Sequence, residues 1–187
     1  MPDLLPDPVP GPQRWVLPTA EATRALGVAL GQLLCAGDLL MLSGDLGAGK
    51  TTLTQGIGDG LDVRGPITSP TFVIARIHPS LVGGPALVHV DAYRLGGGLE
   101  LDDLDLDTSI EEGVTVVEWG RGVAEPLSGD RLELVLEAGP SGGRRATLTT
   151  TGPRWQRRDA VTALASLAST PLAESPESGE LAERSEG

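Results

Sequence analysis

The segment Gly44-Asp45-Leu46-Gly47-Ala48-Gly49-Lys50-Thr51, followed by Thr52, sets three glycines, one lysine and two hydroxyls in a spacing suited to phosphate. Without Cβ atoms the glycines let the chain wrap inward, so that successive N–H groups aim at phosphate oxygens. The apolar run Leu39 to Ser43 before it reads as a strand buried on both faces. A helical pattern follows from Lys50 to about Leu61, with Leu53, Ile57 and Leu61 on one face. Strand, glycine loop and helix together are the setting in which G-x-x-x-x-G-K-[ST] is a P-loop. A merely structural glycine turn would require neither the lysine nor the threonine. The helix N-terminus adds partial positive charge, Lys50 is placed for the β- and γ-phosphates, the Thr51 hydroxyl for magnesium and Thr52 for the α-phosphate. The expected ligands are ATP and Mg2+, with Gly44 through Thr52 as the ATP-binding residues. Lys50 is also the chain's only lysine among fourteen basic residues, and asparagine is absent, as in a GC-rich genome. A lysine kept under that bias is expected where a compact point charge is needed and arginine's planar fork would fail.

A P-loop needs an acid for its metal, usually at the end of a buried strand. Two positions qualify: Asp91 after Leu87-Val88-His89-Val90, and Glu118 after Val114-Thr115-Val116-Val117. Strand ends in such sheets line the ligand crevice. The plain alternative for each is a carboxylate merely exposed at a strand end. The turn Thr68-Ser69-Pro70-Thr71 offers hydroxyls that can order around a γ-phosphate, although such turns are common. His89, one step inside its strand, reads as a core or sheet-face histidine rather than a catalyst. His78 and Pro79 read as a loop entry.

Around these residues the chain organises as one α/β domain. Trp15 to Leu17 reads as a strand, and Thr19 caps an amphipathic helix through Leu26, Leu30 and Leu34. Strands are expected over Phe72 to Ile77, Ala86 to Val90 and Val114 to Val117. A hairpin joins Leu132 to Leu136 with Arg145 to Thr150, and Gln156 to Leu167 is a closing helix. The predicted fold is a P-loop α/β domain at residues 14–168, mainly a parallel sheet flanked by helices with an antiparallel extension. Residues 1–13 form a proline-rich arm and 169–187 an acidic tail, both expected to be disordered.

Composition narrows the partners. A net charge of −12 argues against broad direct contact with nucleic acid. Seven carboxylates between Glu100 and Glu112, and five between Glu174 and Glu186, read as solvated surface and tail. No apolar run reaches the roughly 18–20 residues that span a bilayer, and the first twelve residues lack the pattern of a secretory signal. The single cysteine, Cys35, is expected to be a packed thiol in a reducing, cytoplasmic setting.

Taken together, four segments resemble one family. The P-loop, then Thr68-Ser69-Pro70-Thr71-Phe72, then His89-Val90-Asp91-Ala92-Tyr93-Arg94-Leu95, then Val117-Glu118-Trp119 are similar in order and spacing to the TsaE (YjeE) family. The resemblance runs from about Trp15 to Thr151. It implies a bacterial ATPase needed to make threonylcarbamoyladenosine at position 37 of tRNAs that read codons beginning with A. It also implies Thr51 and Glu118 as magnesium ligands, Asp91 as an acid essential for hydrolysis and Trp119 as important for activity. The implied partner is the threonylcarbamoyl transferase with its inactive paralogue, of TsaD and TsaB type, which would handle the tRNA. Gly96 to Gly98 would make the next loop flexible, a candidate docking element.

Two other functions share the phosphate contacts. A small-molecule P-loop kinase would carry a dense arginine lid, whereas Arg76, Arg94 and Arg121 are scattered. A nucleotide-dependent switch would differ only in turnover.

Overall fold

The computed structural model describes residues 11–70, 74–94, 107–139 and 142–169. Its strands are β1 (Gln13–Leu17), β2 (Leu39–Ser43), β3 (Ala75–His78), β4 (Ala86–Asp91), β5 (Gly113–Glu118), β6 (Arg131–Ala138) and β7 (Arg144–Thr151). The helices are α1 (Ala20–Leu33), α2 (Lys50–Gly60), α3 (Asp107–Glu112) and α4 (Arg158–Ser169). One seven-stranded sheet runs β1-β7-β6-β2-β5-β4-β3. Its centre, β6-β2-β5-β4, is parallel, while β7 and β1 on one side and β3 on the other are antiparallel. The chain is thus a P-loop-type α/β domain with an antiparallel extension.

The centre is parallel because β2 and β5 are apolar on both faces and must be covered on both. Successive side chains alternate, so Leu40 and Leu42 join the larger core with Leu26, Leu30, Leu53 and Ile57 of the helices, while Leu39 and Met41 join a smaller one with Val88, Val90 and Val117. Each fully buried leucine in the larger core contributes about 1.5–3 kcal/mol. β6 alternates buried and half-buried positions, as a strand leading into an antiparallel pair should.

Two helices fix where the phosphate loop points. Thr19 caps α1 by accepting the Ala22 N–H at 3.2 Å. α1 then meets α2 backbone to backbone: a Cβ at Gly27 would lie 2.3 Å from the Leu53 carbonyl oxygen, and one at Gly56 2.1 Å from that of Arg24. No other side chain permits that approach. The glycines that weaken α2 as an isolated helix therefore lock it against its neighbour, and the loop at its N-terminus inherits that rigidity.

Three expectations need correction. The strand expected over Phe72 to Ile77 occupies Ala75–His78 instead. Ile74 has φ 68° and its N–H bonds to Pro70 O, so it belongs to a turn, while its carbonyl accepts the Asp91 N–H. Phe72 lies outside the described residues, as do the Gly96–Gly98 loop, most of the acidic run behind it and the C-terminal tail. The closing helix starts at Arg158, because Pro153–Gln156 form a 3-10 turn that buries Trp155 first. Cys35 is exposed, since α1 ends at Leu33 and Leu34 turns the chain outward in an extended conformation. Among the described residues no helix is long and apolar enough to cross a membrane.

Candidate functional site

The phosphate loop leaves β2 at Gly44, whose φ of 146° and position 2.3 Å from Leu136 O (measured from a would-be Cβ) exclude any side chain. It enters α2 at Gly49, an N-cap with φ 105° that has no side-chain hydrogen bond of its own. The first-turn N–H groups of α2 thus face the loop without a capping oxygen, the usual state of an anion-binding helix end. Leu46 stands 94% exposed at the tip with Asp45 and Gly47 beside it, while Ala48 and Lys50 are buried.

Lys50 reaches back into the loop, its Nζ donating to the carbonyls of Gly44 at 2.7 Å and Asp45 at 3.0 Å. Burial pushes the ammonium below the ordinary lysine range, and the nearby carboxylates of Glu118, Asp91 and Asp45 pull it back up. The same ammonium sits 4.1 Å from the centre of the Trp119 ring, which in turn contacts Tyr93 at 5.2 Å. Trp119 holds φ 60°, an uncommon value for a large side chain, while its N–H bonds to Leu42 O. Such strain persists only where the surroundings impose it.

The two strand-end acids stand side by side, since Asp91 and Glu118 are partners in the parallel β4–β5 register. Thr51 Oγ1 donates to Glu118 Oε1 at 3.3 Å. Asp91 accepts from Ser69 Oγ at 3.1 Å and from the Tyr93 N–H at 3.0 Å. The hydroxyl turn is therefore drawn into the site, and Arg76 Nη1 holds it from outside through Thr68 Oγ1 at 3.0 Å. Arg121 lies apart on the surface near Glu133.

These residues line a cleft of about 520 Å³ that includes Lys50, Thr51, Ser69, Asp91, Glu118 and Trp119. A smaller one of about 170 Å³ lies between the start of α1 (Pro18, Thr19, Thr23) and the turn at Gly142–Arg144. Gly47, Gly49 and Thr52 border both. A hydroxyl and a carboxylate in contact, with a second carboxylate alongside, are hard oxygen donors of the kind magnesium takes. Among the described residues no three acidic, histidine or cysteine side chains form a cage.

Two further residues touch the site without having been read as part of it. His89 is the fully buried core histidine expected, and its Nε2 lies 2.9 Å from Glu118 Oε1. Arg144 begins β7, nearly a hundred positions after the loop, yet donates to the carbonyls of Gly47 at 3.1 Å and Ala48 at 3.0 Å. It also binds Gly142 O and Gly143 O. These bonds fix the orientation of the loop's Gly47 and Ala48 carbonyls, while the Ala48 N–H donates to Asp45 O at 3.0 Å. The segment that carries the resemblance begins at His89, whereas nothing local in sequence points to Arg144.

Comparison with known proteins agrees with this geometry. The family model described as Threonylcarbamoyl adenosine biosynthesis protein TsaE matches residues 17–146. A Streptomyces coelicolor protein named tRNA threonylcarbamoyladenosine biosynthesis protein TsaE is 60% identical over 141 residues, covering 73% of this chain and 95% of that protein. The Bacillus subtilis protein of the same name is 36% identical over 144 residues, covering 76% and 89%. The crystal structure of Bacillus subtilis YdiB superposes with a TM-score of 0.67 at 30% identity, covering 84% of this chain and 95% of that one. With family model, sequence relatives and solved structure in agreement over the same region, the chain belongs to the TsaE family.

Proposed function

We propose that the chain binds ATP with magnesium at this loop and hydrolyses it, as the nucleotide-driven component of tRNA threonylcarbamoyladenosine biosynthesis. The observation that carries the reading is the meeting of Lys50, Thr51, Asp91 and Glu118 at one end of the sheet around an uncapped helix N-terminus. The loop N–H groups and Lys50 would hold the β- and γ-phosphates, and the narrow cleft beyond Thr52 suits the nucleoside. Thr51 and Glu118 would supply the protein's oxygens to magnesium, which when bound neutralises charge on the phosphates. Asp91, kept in place by Ser69 and Tyr93, is suited to orienting water for attack, with Trp119 closing the site over Lys50.

The proposed partner is the threonylcarbamoyl transferase with its inactive paralogue, in the cytoplasm, and tRNA meets this chain only through them. The net charge of −12 supports this, because the basic surfaces that tRNA needs can lie on the partners. Hydrolysis is expected to be slow for the chain alone: Arg76 is engaged by Thr68 and Arg121 lies near Glu133, so neither attends the γ-phosphate position. An arginine supplied or repositioned by a partner is worth about 10³–10⁵ in rate in P-loop enzymes. Phosphate release measured for the chain alone, with the transferase complex, and with tRNA added tests the reading. Stepwise stimulation is expected. Fast turnover without partners overturns the coupling, and phosphate transfer to a small acceptor favours a kinase.

A further inference from the structure

We propose that His89 is the positioning residue that fixes the Glu118 carboxylate for the divalent cation accompanying the nucleotide, an inference that rests on the reading above. His89 stands on β4 opposite Val116, two residues before Asp91 and on the same face of the sheet as Glu118. Its side chain is wholly buried, as is nearly all of the glutamate's. An ionised carboxylate can only accept, so the Nε2 nitrogen carries the hydrogen of the 2.9 Å bond to Oε1. The Thr51 hydroxyl lands on that same oxygen. Among the described residues, then, both donors that reach Glu118 converge on Oε1, which pins the carboxylate's rotation and leaves Oε2 its lone pairs.

A purely structural role explains less. The second ring nitrogen, Nδ1, is buried with no partner among the described residues. Buried polar atoms are nearly always paired, and an apolar side chain would fill this strand position without an orphaned nitrogen. The imidazole's one polar contact is to the site carboxylate. Groups behind a metal's ligands orient them in this way, and their loss typically costs about 10–100-fold in metal affinity.

The test separates the cation's share of nucleotide binding from the rest. ADP is titrated calorimetrically into the native chain, His89→Leu and His89→Gln, each with EDTA and with magnesium. His89→Leu should lose about 10–100-fold of the affinity gain that magnesium brings, while its metal-free affinity stays within about twofold. His89→Gln, which keeps an N–H donor near the same place, should recover most of that gain. A folded His89→Leu with the native magnesium gain overturns the proposal. A second measurement needs no variant at position 89: the chain has two histidines, so 15N spectra of the native imidazoles resolve His89 once His78→Asn assigns the other. Magnesium added to the ADP-bound chain should shift the His89 Nε2 signal, and an unmoved signal overturns the proposal even if His89→Leu does not fold. A native chain that gains no affinity from magnesium would instead count against the functional reading itself.

Discussion

Asp38 and Glu118 are both buried carboxylates, one just before β2 and one at the end of β5, and they are partnered in opposite ways. Asp38 is matched charge for charge. Arg154 grips it through Nε, and through Nη2 at 2.6 Å, while the Cys35 N–H adds a third bond at 2.8 Å. That hydrogen bond to Asp38 is the main reason the Arg154 guanidinium holds its proton more tightly than usual. The guanidinium carbon Cζ also lies 4.6 Å from the centre of the Trp155 ring. Among the described residues Glu118 receives a hydroxyl and an imidazole, and the ammonium of Lys50 nearby is turned toward loop carbonyls. A carboxylate gripped by a guanidinium and a backbone N–H ties segments together. One that accepts a hydroxyl and a ring N–H on a single oxygen, beside the Lys50 ammonium, keeps acceptor capacity for a further cation. The fold thus uses the same chemical group as a clasp at one end of the sheet and sets it in the candidate site at the other.

Breaking the clasp should have the largest effect on stability. Arg154→Ala leaves the Asp38 carboxylate buried with one backbone donor, which should cost about 3 kcal/mol and lower the melting midpoint by roughly 6–12 °C for a chain of this size. Nucleotide affinity should stay within about twofold. A shift under about 2 °C would erase the contrast between the two acids.

The ligand end should answer in the opposite currency. Glu118→Gln keeps the shape and should leave the midpoint nearly unchanged, while magnesium-dependent ADP binding falls about tenfold or more. Asp91→Asn, in the neighbouring register position, should weaken binding less and hydrolysis more. Equal binding losses by calorimetry would show that the two acids do not divide their roles this way.

The smallest effect expected is at Arg144. Arg144→Ala frees the carbonyls of Gly47 and Ala48, and losing their ordering should cost about 1 kcal/mol, roughly fivefold in nucleotide affinity. The loss should be the same with and without magnesium, because Arg144 acts on the loop and not on the metal ligands. A magnesium-dependent loss would move it into the other group.

What was legible in the sequence follows from how local each signal is. The P-loop, its strand and its helix are contiguous, so spacing alone identified Gly44 to Thr52 and even the use of Thr19 as a cap. Asp91 and Glu118 were legible as acids that end apolar runs, and the β4–β5 register sets them side by side at the crevice end of the sheet. The position of β3 was not, because β-branched Ile74 favours a strand by composition while its backbone turns at positive φ to meet Asp91. The contact of His89 with Glu118 was not legible, because it depends on which residue sits across the β4–β5 ladder, a long-range fact. Arg144 was invisible for the same reason. The α1–α2 glycine seam reads locally as poor helix propensity, and only the neighbouring helix shows why those glycines are there.

The central claim, that this end of the sheet is a nucleotide site organised by Lys50, is tested most directly by calorimetric titration of magnesium ATP into the native chain and Lys50→Ala. The account predicts a single site in the native chain and a loss of about 1.5–3 kcal/mol in the variant, about tenfold to a hundredfold in affinity, with the melting midpoint unchanged. A folded Lys50→Ala chain that binds ATP as tightly as the native one would contradict it.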